Sequence, residues 1–327
     1  MVLEILTPWR KSKAQSPDPF EPTPIARLVF QTPVKLLLYH AYHTINSLRS
    51  TPIPSNPPIR VVCISDTHGH TIDDVPAGDI LIHAGDMTVS GSIPEIQNQV
   101  DWLSTLPHKE IIVISGNHDT YLDPRTRPSL REDQRTGAID WKRVRYLQHR
   151  RLSLSIAVES TSVDGEETHL LARETKHRRY PRGRDAWSET VPEDTDILVT
   201  HTPPKYHMDL TLPSELGCEH LSAEVKRVKP TLHIFGHVHW GAGQEVVWWD
   251  GCHDAYEKGL DIKPTWLWGL LNPWLWLNIL RVAYRGLRGL IWDKVWGGQG
   301  SSTIMVNAAQ IHGNTGKIGN PIQVVDI

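Results

Sequence analysis

Residues 59–86 read IRVVCISDTHGHTIDDVPAGDILIHAGD: two apolar runs, each halted by a short polar signature, Asp66-Thr67-His68 after the first and Gly85-Asp86 after the second. Runs of four to eight residues rich in β-branched side chains, closed by glycine or a polar residue, predict buried strands. The same grammar recurs downstream. EIIVISG ends in Gly116-Asn117-His118-Asp119, DILVTH ends at His201, TLHIFGH leads into Gly236-His237-Val238-His239, and TIMVNAA lies near the C-terminus. Helical patterns separate some of these runs. In Ser92–Leu106, Ser92 and Glu95 are spaced as a capping box ahead of Ile96, Val100 and Leu103 on one face, and Ser214–Val228 places Cys218, Leu221, Val225 and Val228 on one face. Strands alternating with helices predict an α/β fold whose functional groups gather at the strand ends.

Each polar signature directly follows a strand, so the side chains can converge at one sheet edge. Carboxylates, imidazoles and an amide oxygen make a mixed N/O shell suited to Mn, Fe or Zn rather than calcium, and without thiolate. Two metals ~3.5–4 Å apart need a bridging ligand, and Asp86 is the candidate. One such residue alone means little, because Gly-Asp is a common turn and a buried histidine usually satisfies a hydrogen bond. Five in order, each closing a strand, change the reading.

In this order, the motifs D-x-H, G-D, G-N-H-[DE], H and G-H-x-H resemble the calcineurin-like metallophosphoesterase superfamily, over residues 59–250 and again over 302–327. CISDTHG, GDILIHAGD, DILVTHTPP and VKPTLHIFGHVH look most like the branch named metallophosphoesterase-domain-containing proteins, linked to cyclic-nucleotide or other phosphodiester hydrolysis. The resemblance implies a four-layer sandwich, two mixed β-sheets flanked by helices. It implies two divalent metal ions, one held by Asp66, His68 and His239, the other by Asn117, His201 and His237, with Asp86 shared. His118 would face a small phosphoester substrate, stabilise charge and protonate the leaving oxygen after attack by hydroxide. Two other readings stand beside a phosphodiesterase. One is a phosphomonoesterase or protein phosphatase, against which GDMTV lacks the second acidic residue that protein phosphatases of the superfamily place just after Gly-Asp. The other is a metal-binding scaffold with impaired turnover.

His70 and His83 flank ligand motifs and are read as supporting or surface groups. Asp119 either orients His118 or caps the next turn, and Trp248-Trp249 reads as packing. Members of the branch carry a strand and a Gly-Ser-Pro-Trp-like loop between the third and fourth motifs. Residues 156–190 are instead polar, with the basic run KHRRYPRGR, and show no strand-like run, which points to a divergent substrate loop or to a gene-model or splicing error that has replaced real sequence and with it a central strand.

The 327 residues suit one metallophosphoesterase domain, 59–327, behind an N-terminal extension, 1–58, with proline-rich segments and a short apolar helix within Leu28–Leu48. Thirty-four basic against 37 acidic side chains leave a charge of −3, so no global cationic field exists to hold nucleic acid, and no nucleic-acid-binding surface is evident. Three well-separated cysteines, Cys63, Cys218 and Cys252, form neither a disulfide framework nor a zinc spacing, and point to the cytoplasm. A Trp-rich insertion at about 260–299 departs from the family pattern. Its apolar run is too short and too interrupted at Asn272-Pro273 to span a bilayer, while Arg281, Arg285 and Arg288 at helical spacing suit a membrane interface. The insertion is either a peripheral membrane contact through 264–296 or a helical hairpin packed on the domain or a partner.

Overall fold

The computed structural model describes residues 19–148, 150–155, 167–172, 183–210, 212, 215–263, 266–298 and 300–327. The start of the proline-rich extension, most of KHRRYPRGR and Ser214 lie outside them. In chain order the helices are α1 (Ile25–Gln31), α2 (Pro33–Leu48), α3 (Ile93–Ser104), α4 (Glu132–Arg135), α5 (Glu219–Val228), α6 (Gly251–Asp261), α7 (Trp266–Leu271) and α8 (Pro273–Val295). The strands are β1 (Arg60–Ile64), β2 (Ile80–His83), β3 (Glu110–Val113), β4 (Val144–Tyr146), β5 (Arg150–Ser155), β6 (Glu167–Ala172), β7 (Ile197–Val199), β8 (Leu232–Phe235), β9 (Gly243–Trp248), β10 (Ser302–Asn307) and β11 (Gln323–Asp326).

The strands form two mixed sheets, in the orders β11-β1-β2-β3-β4 and β5-β6-β7-β8-β10-β9. Parallel pairing aligns Ile64, His83 and Val113 across β1, β2 and β3, so their C-terminal ends finish side by side. β7, β8 and β10 align in parallel in the second sheet. Strand alternation sorts the apolar side chains into layers. Val61, Cys63, Ile80 and Ile82 of one sheet pack against Ile197, Val199, Leu232 and Ile234 of the other. On the reverse faces, Val62, Ile64, Leu81 and Ile111 meet Ile96, Val100 and Leu103 of α3, while Leu198, Phe235 and Met305 meet Leu221 and Val225 of α5. Helix, sheet, sheet and helix make the four-layer sandwich that the resemblance implied.

Two expectations need correction. A strand does lie inside 156–190: β6 pairs antiparallel with β5 and parallel with β7, so the sheet is continuous there. Its sequence, ETHLLA, is apolar only in its second half, which hid it. Helix α5 begins at Glu219, with Cys218 as its N-cap, later than the apolar spacing suggested. At α3, Ser92 Oγ accepts from Glu95 N, and the Glu95 carboxylate reaches back to the N–H groups of Ser90 and Gly91 rather than that of Ser92.

Helices α2, α6 and α8 build a further layer whose core includes Val34, Leu38, Tyr42, Cys252, Tyr256, Leu275 and Val282. Thr32-Pro33 divides α1 from α2, since proline is tolerated in the first turn but not within a helix. Arg49, beyond α2, ion-pairs with Asp293 on α8 at 2.7 Å and lies 4.3 Å over the Trp248 ring. Trp248 is buried, and Trp249 Nε1 donates to Thr303 Oγ1, so both tryptophans pack. Among the described residues, no helix is long and apolar enough to cross a membrane.

Candidate metal centre

The loops after β1, β2, β3, β7 and β8 bring Asp66, His68, Asp86, Asn117, His118, His201, His237 and His239 to one end of the sandwich. Four of them bend the backbone into the left-handed region: Asp66 (φ 53°), His68 (45°), Asp86 (53°) and His237 (68°). Asp and His tolerate this conformation better than branched residues, at ~1–3 kcal/mol each when the surroundings enforce it. Asp66 N donates to Gly85 O at 2.9 Å and His68 N to Asp86 O at 3.1 Å, locking the first two loops together. Two motif glycines are fixed by close approach. A Cβ on Gly116 would lie 2.1 Å from Asp86 Oδ1, and one on Gly236 would lie 2.1 Å from Asp66 Oδ2.

The potential ligand atoms of Asp66, His68 and His239 lie within 4.8 Å of one another, as do those of Asp86, His201 and His237, and those of His68, Asp86 and His118. Asp86 therefore stands between the two outer groups. His201 Nε2 lies 3.0 Å from Asn117 Oδ1 and 3.2 Å from Asp86 Oδ2, which adds the amide to the second group. Carbonyl oxygens orient the rings from behind: His201 Nδ1 donates to Ala84 O, His239 Nδ1 to Gly313 O and His118 Nδ1 to Val89 O, each at 2.9 Å. Each Nε2 is thereby left toward the cluster.

Burial resists charge on Asp66, but the His239 ring, its Nε2 3.4 Å from Oδ1, and the charge of His201 hold its carboxyl well below the usual range. Asp86 is also held low, the charge and hydrogen bond of His201 outweighing its burial. Against its own burial, His201 is pushed up to about 10 by Asp86, with Asp66 and the Ala84 carbonyl adding to the effect. A proton on His201 thus lies between Asp86 and Asn117, where a cation is electrostatically favoured. Burial lowers His68. Asp66 Oδ1 and His68 Nε2 are buried with no hydrogen-bond partner, a cost of about 1–3 kcal/mol per group that a metal ion would remove. The residues present fit a pair of divalent ions.

The surrounding groups resolve what the sequence left open. Buried Asp119 makes no hydrogen bond to the His118 ring, whose Nδ1 bonds Val89 O, and does not cap the next turn with its side chain. Its carboxylate accepts from the N–H groups of Gly116, Met87 and Thr88 and from the Thr88 hydroxyl, clasping the second motif loop to the third. Burial and the charge of Asp86 push Asp119 up to about 6. His83 is buried, pushed down to about 3, and lies 3.0 Å from Thr67 Oγ1, while His70 reaches Gly316 O at the surface. Phe20, which sequence reasoning did not single out, sets its ring edge-on to His237 with centroids 5.5 Å apart. No motif could signal a contact made across 217 positions.

Comparison with known proteins agrees with this architecture. Residues 59–241 match the family model described as calcineurin-like phosphoesterase. A UPF0046 protein of Caenorhabditis elegans is 33% identical over 72% of this chain and 81% of its own length. Human metallophosphoesterase domain-containing protein 1 is 33% identical over 59% of this chain and 65% of that protein. A protein of Emericella nidulans named probable rhamnogalacturonate lyase C is 39% identical over 78% of this chain, which spans only 23% of that protein's length. With the matched residues covering strands of both sheets and all five motif loops, the chain belongs to the calcineurin-like phosphoesterase family.

Proposed function

We propose that this protein hydrolyses a phosphodiester, with a cyclic nucleotide as the substrate class to test first, and that Asp66, His68 and His239 hold one divalent metal, Asn117, His201 and His237 a second, and Asp86 both. The observation that carries this reading is the pair of buried, unpartnered ligand atoms, Asp66 Oδ1 and His68 Nε2, beside a carboxylate that stands between two ligand groups. When bound, Mn, Fe or Zn ions lower the pKa of water and neutralise charge on the phosphoryl oxygens. His118, its Nδ1–H donated to Val89 O, directs Nε2 to the cluster and in the imidazolium form protonates the leaving oxygen. Outside the two ligand groups His118 contributes a single imidazole, and a singly charged diester asks less positive charge of it than a monoester dianion. Phe20 beside His237 provides an aromatic surface of the kind on which bases stack.

The test is bound-metal analysis with turnover of bis-p-nitrophenyl phosphate and p-nitrophenyl phosphate in manganese, using Asp86→Ala and His118→Ala as controls. Faster diester turnover, abolished by both substitutions, supports the reading. Monoester preference would replace it with a phosphatase, and metal without turnover would replace it with a scaffold.

We also propose a cytoplasmic protein with a peripheral contact to anionic membrane through 264–296. Three free, separated cysteines support the compartment. Leu280, Tyr284, Leu287 and Ile291 of α8 are exposed, and so are Arg281, Arg285 and Arg288. Leu275 and Val282 of the same helix are core, so deleting the insertion would damage the fold. Leu280→Ser with Leu287→Ser is the cleaner test, and unchanged sedimentation with acidic liposomes would refute the contact.

A further inference from the structure

A second cluster of ligand-type side chains lies in the chain, made of residues outside the five motif signatures. His207 belongs to the loop that follows β7 and carries His201, while His253 and Glu257 stand one turn apart on α6. Their potential ligand atoms lie within 4.8 Å of one another. Both histidines are fully buried. Nε2 of each is buried with no hydrogen-bond partner.

The opposite nitrogens are engaged. His207 Nδ1 lies 2.8 Å from Glu245 Oε1 on β9, and because a carboxylate accepts, the proton of the neutral ring sits on Nδ1, with the lone pair on Nε2. His253 Nδ1 lies 3.0 Å from Tyr42 Oη on α2. Carboxylate–imidazole and hydroxyl–imidazole pairs of this kind orient histidines that ligate a metal. His253 Nε2 and Glu257 Oε1 are 3.4 Å apart. Bonds of ~2.0–2.1 Å at tetrahedral angles put ligand atoms about 3.4 Å from each other. Lys226 Nζ takes the other carboxylate oxygen, Oε2, at 2.7 Å, leaving Oε1 directed at the histidines.

We propose that His207 Nε2, His253 Nε2 and Glu257 Oε1 bind one zinc ion, with water as the fourth ligand, and so pin α6 and the helical layer it belongs to onto the loop that carries His201. Two nitrogens and one carboxylate oxygen are a set that zinc accepts. Ion pairing alone leaves the arrangement incomplete. His207 can pair with Glu245 and His253 with Glu257, yet His207 Nε2 still faces the protein interior without a partner, which is unfavourable for a buried polar atom. A cation there satisfies both rings at once.

The experiment uses the full chain carrying Asp66→Asn and Asp86→Asn, which disables the other centre. After reconstitution with zinc and desalting, this variant is expected to retain about one equivalent, measured by elemental analysis, and to unfold at a lower temperature once the zinc is stripped by a chelator. Adding His207→Gln or Glu257→Gln should remove that equivalent and the chelator's effect on the unfolding temperature. Absence of zinc from the Asp66→Asn, Asp86→Asn protein, or zinc retained after His207→Gln and after Glu257→Gln, overturns the proposal and leaves the cluster as two buried ion pairs. Should both added substitutions prevent folding, the chelator's effect on the parent variant decides. A shift supports the site, and no shift refutes it. Failure of the phosphodiesterase reading would appear only in turnover and would leave this equivalent untouched.

Discussion

Replacing Gly116 by alanine tests whether the motif glycines exist to let the loops close on the carboxylates. The new Cβ would fall 2.1 Å from Asp86 Oδ1 and 2.4 Å from Asp86 N, whereas real Cβ contacts stay above 3.0 Å. Rotating the Asp86 side chain cannot relieve the second contact, because the obstructing atom is backbone. The loop holding Asp86 must therefore retreat by several tenths of an ångström or more, roughly 0.6–0.9 Å from these two contacts. That retreat pulls Asp86 Oδ1 from His118 N, now at 2.7 Å, and Oδ2 from His201 Nε2, at 3.2 Å. Overpacking of this kind costs about 1–3 kcal/mol of stability. Displacement of a reacting constellation by ~1 Å can cost about 10²-fold in rate. The assay is kcat/KM for bis-p-nitrophenyl phosphate in manganese, with metal content and thermal unfolding measured alongside. Gly300→Ala is the control, since its Cβ would sit 3.6 Å from the Trp248 ring, an ordinary contact. A Gly116→Ala protein with unaltered metal content, unfolding temperature and kcat/KM would refute the reasoning.

His118→Ala is expected to lower kcat by about 10²–10⁴ while bound metal stays constant, and loss of a metal equivalent would make His118 a ligand instead. Arg49→Met strands the Asp293 carboxylate, whose side chain is 1% exposed, and should cost about 3–5 kcal/mol in urea unfolding. Adding Asp293→Leu should restore much of that loss, and no recovery would mean that the Trp248 contact rather than the charge pair dominates. Burial, with the charge of Asp250, pushes the Cys252 thiol up to about 12. Near neutral pH its thiolate population should be about 10³-fold below that of an ordinary thiol, so iodoacetamide should label Cys252 only after unfolding, as read by mass spectrometry. Rapid labelling of the folded protein would contradict that environment.

What could be read from the sequence follows from where each strand lies in its sheet. β1, β2, β3, β7, β8 and β10 have neighbours on both sides and are predominantly apolar, so they show as unbroken runs, and each of the five motif signatures follows one of them. The strands that escaped notice include the four sheet edges, β4, β5, β9 and β11, with sequences such as VRY and RRLSLS that mix polar and apolar residues. β6 escaped although it is interior, because ETHLLA lacks an apolar first half. The ligand-type residues were visible for the same reason as the inner strands: each loop's chemistry is local and abuts a recognisable run. What holds those residues in place is not local. The clasp from Asp119 to Met87 and Thr88, the approach of Phe20 to His237 and the exclusion of a Cβ at Gly116 and Gly236 all depend on pairs far apart in sequence. His207 makes the same point. Nothing in its own neighbourhood marks it as a ligand, and only the fold sets its buried Nε2 beside two residues of a helix that begins 44 positions later.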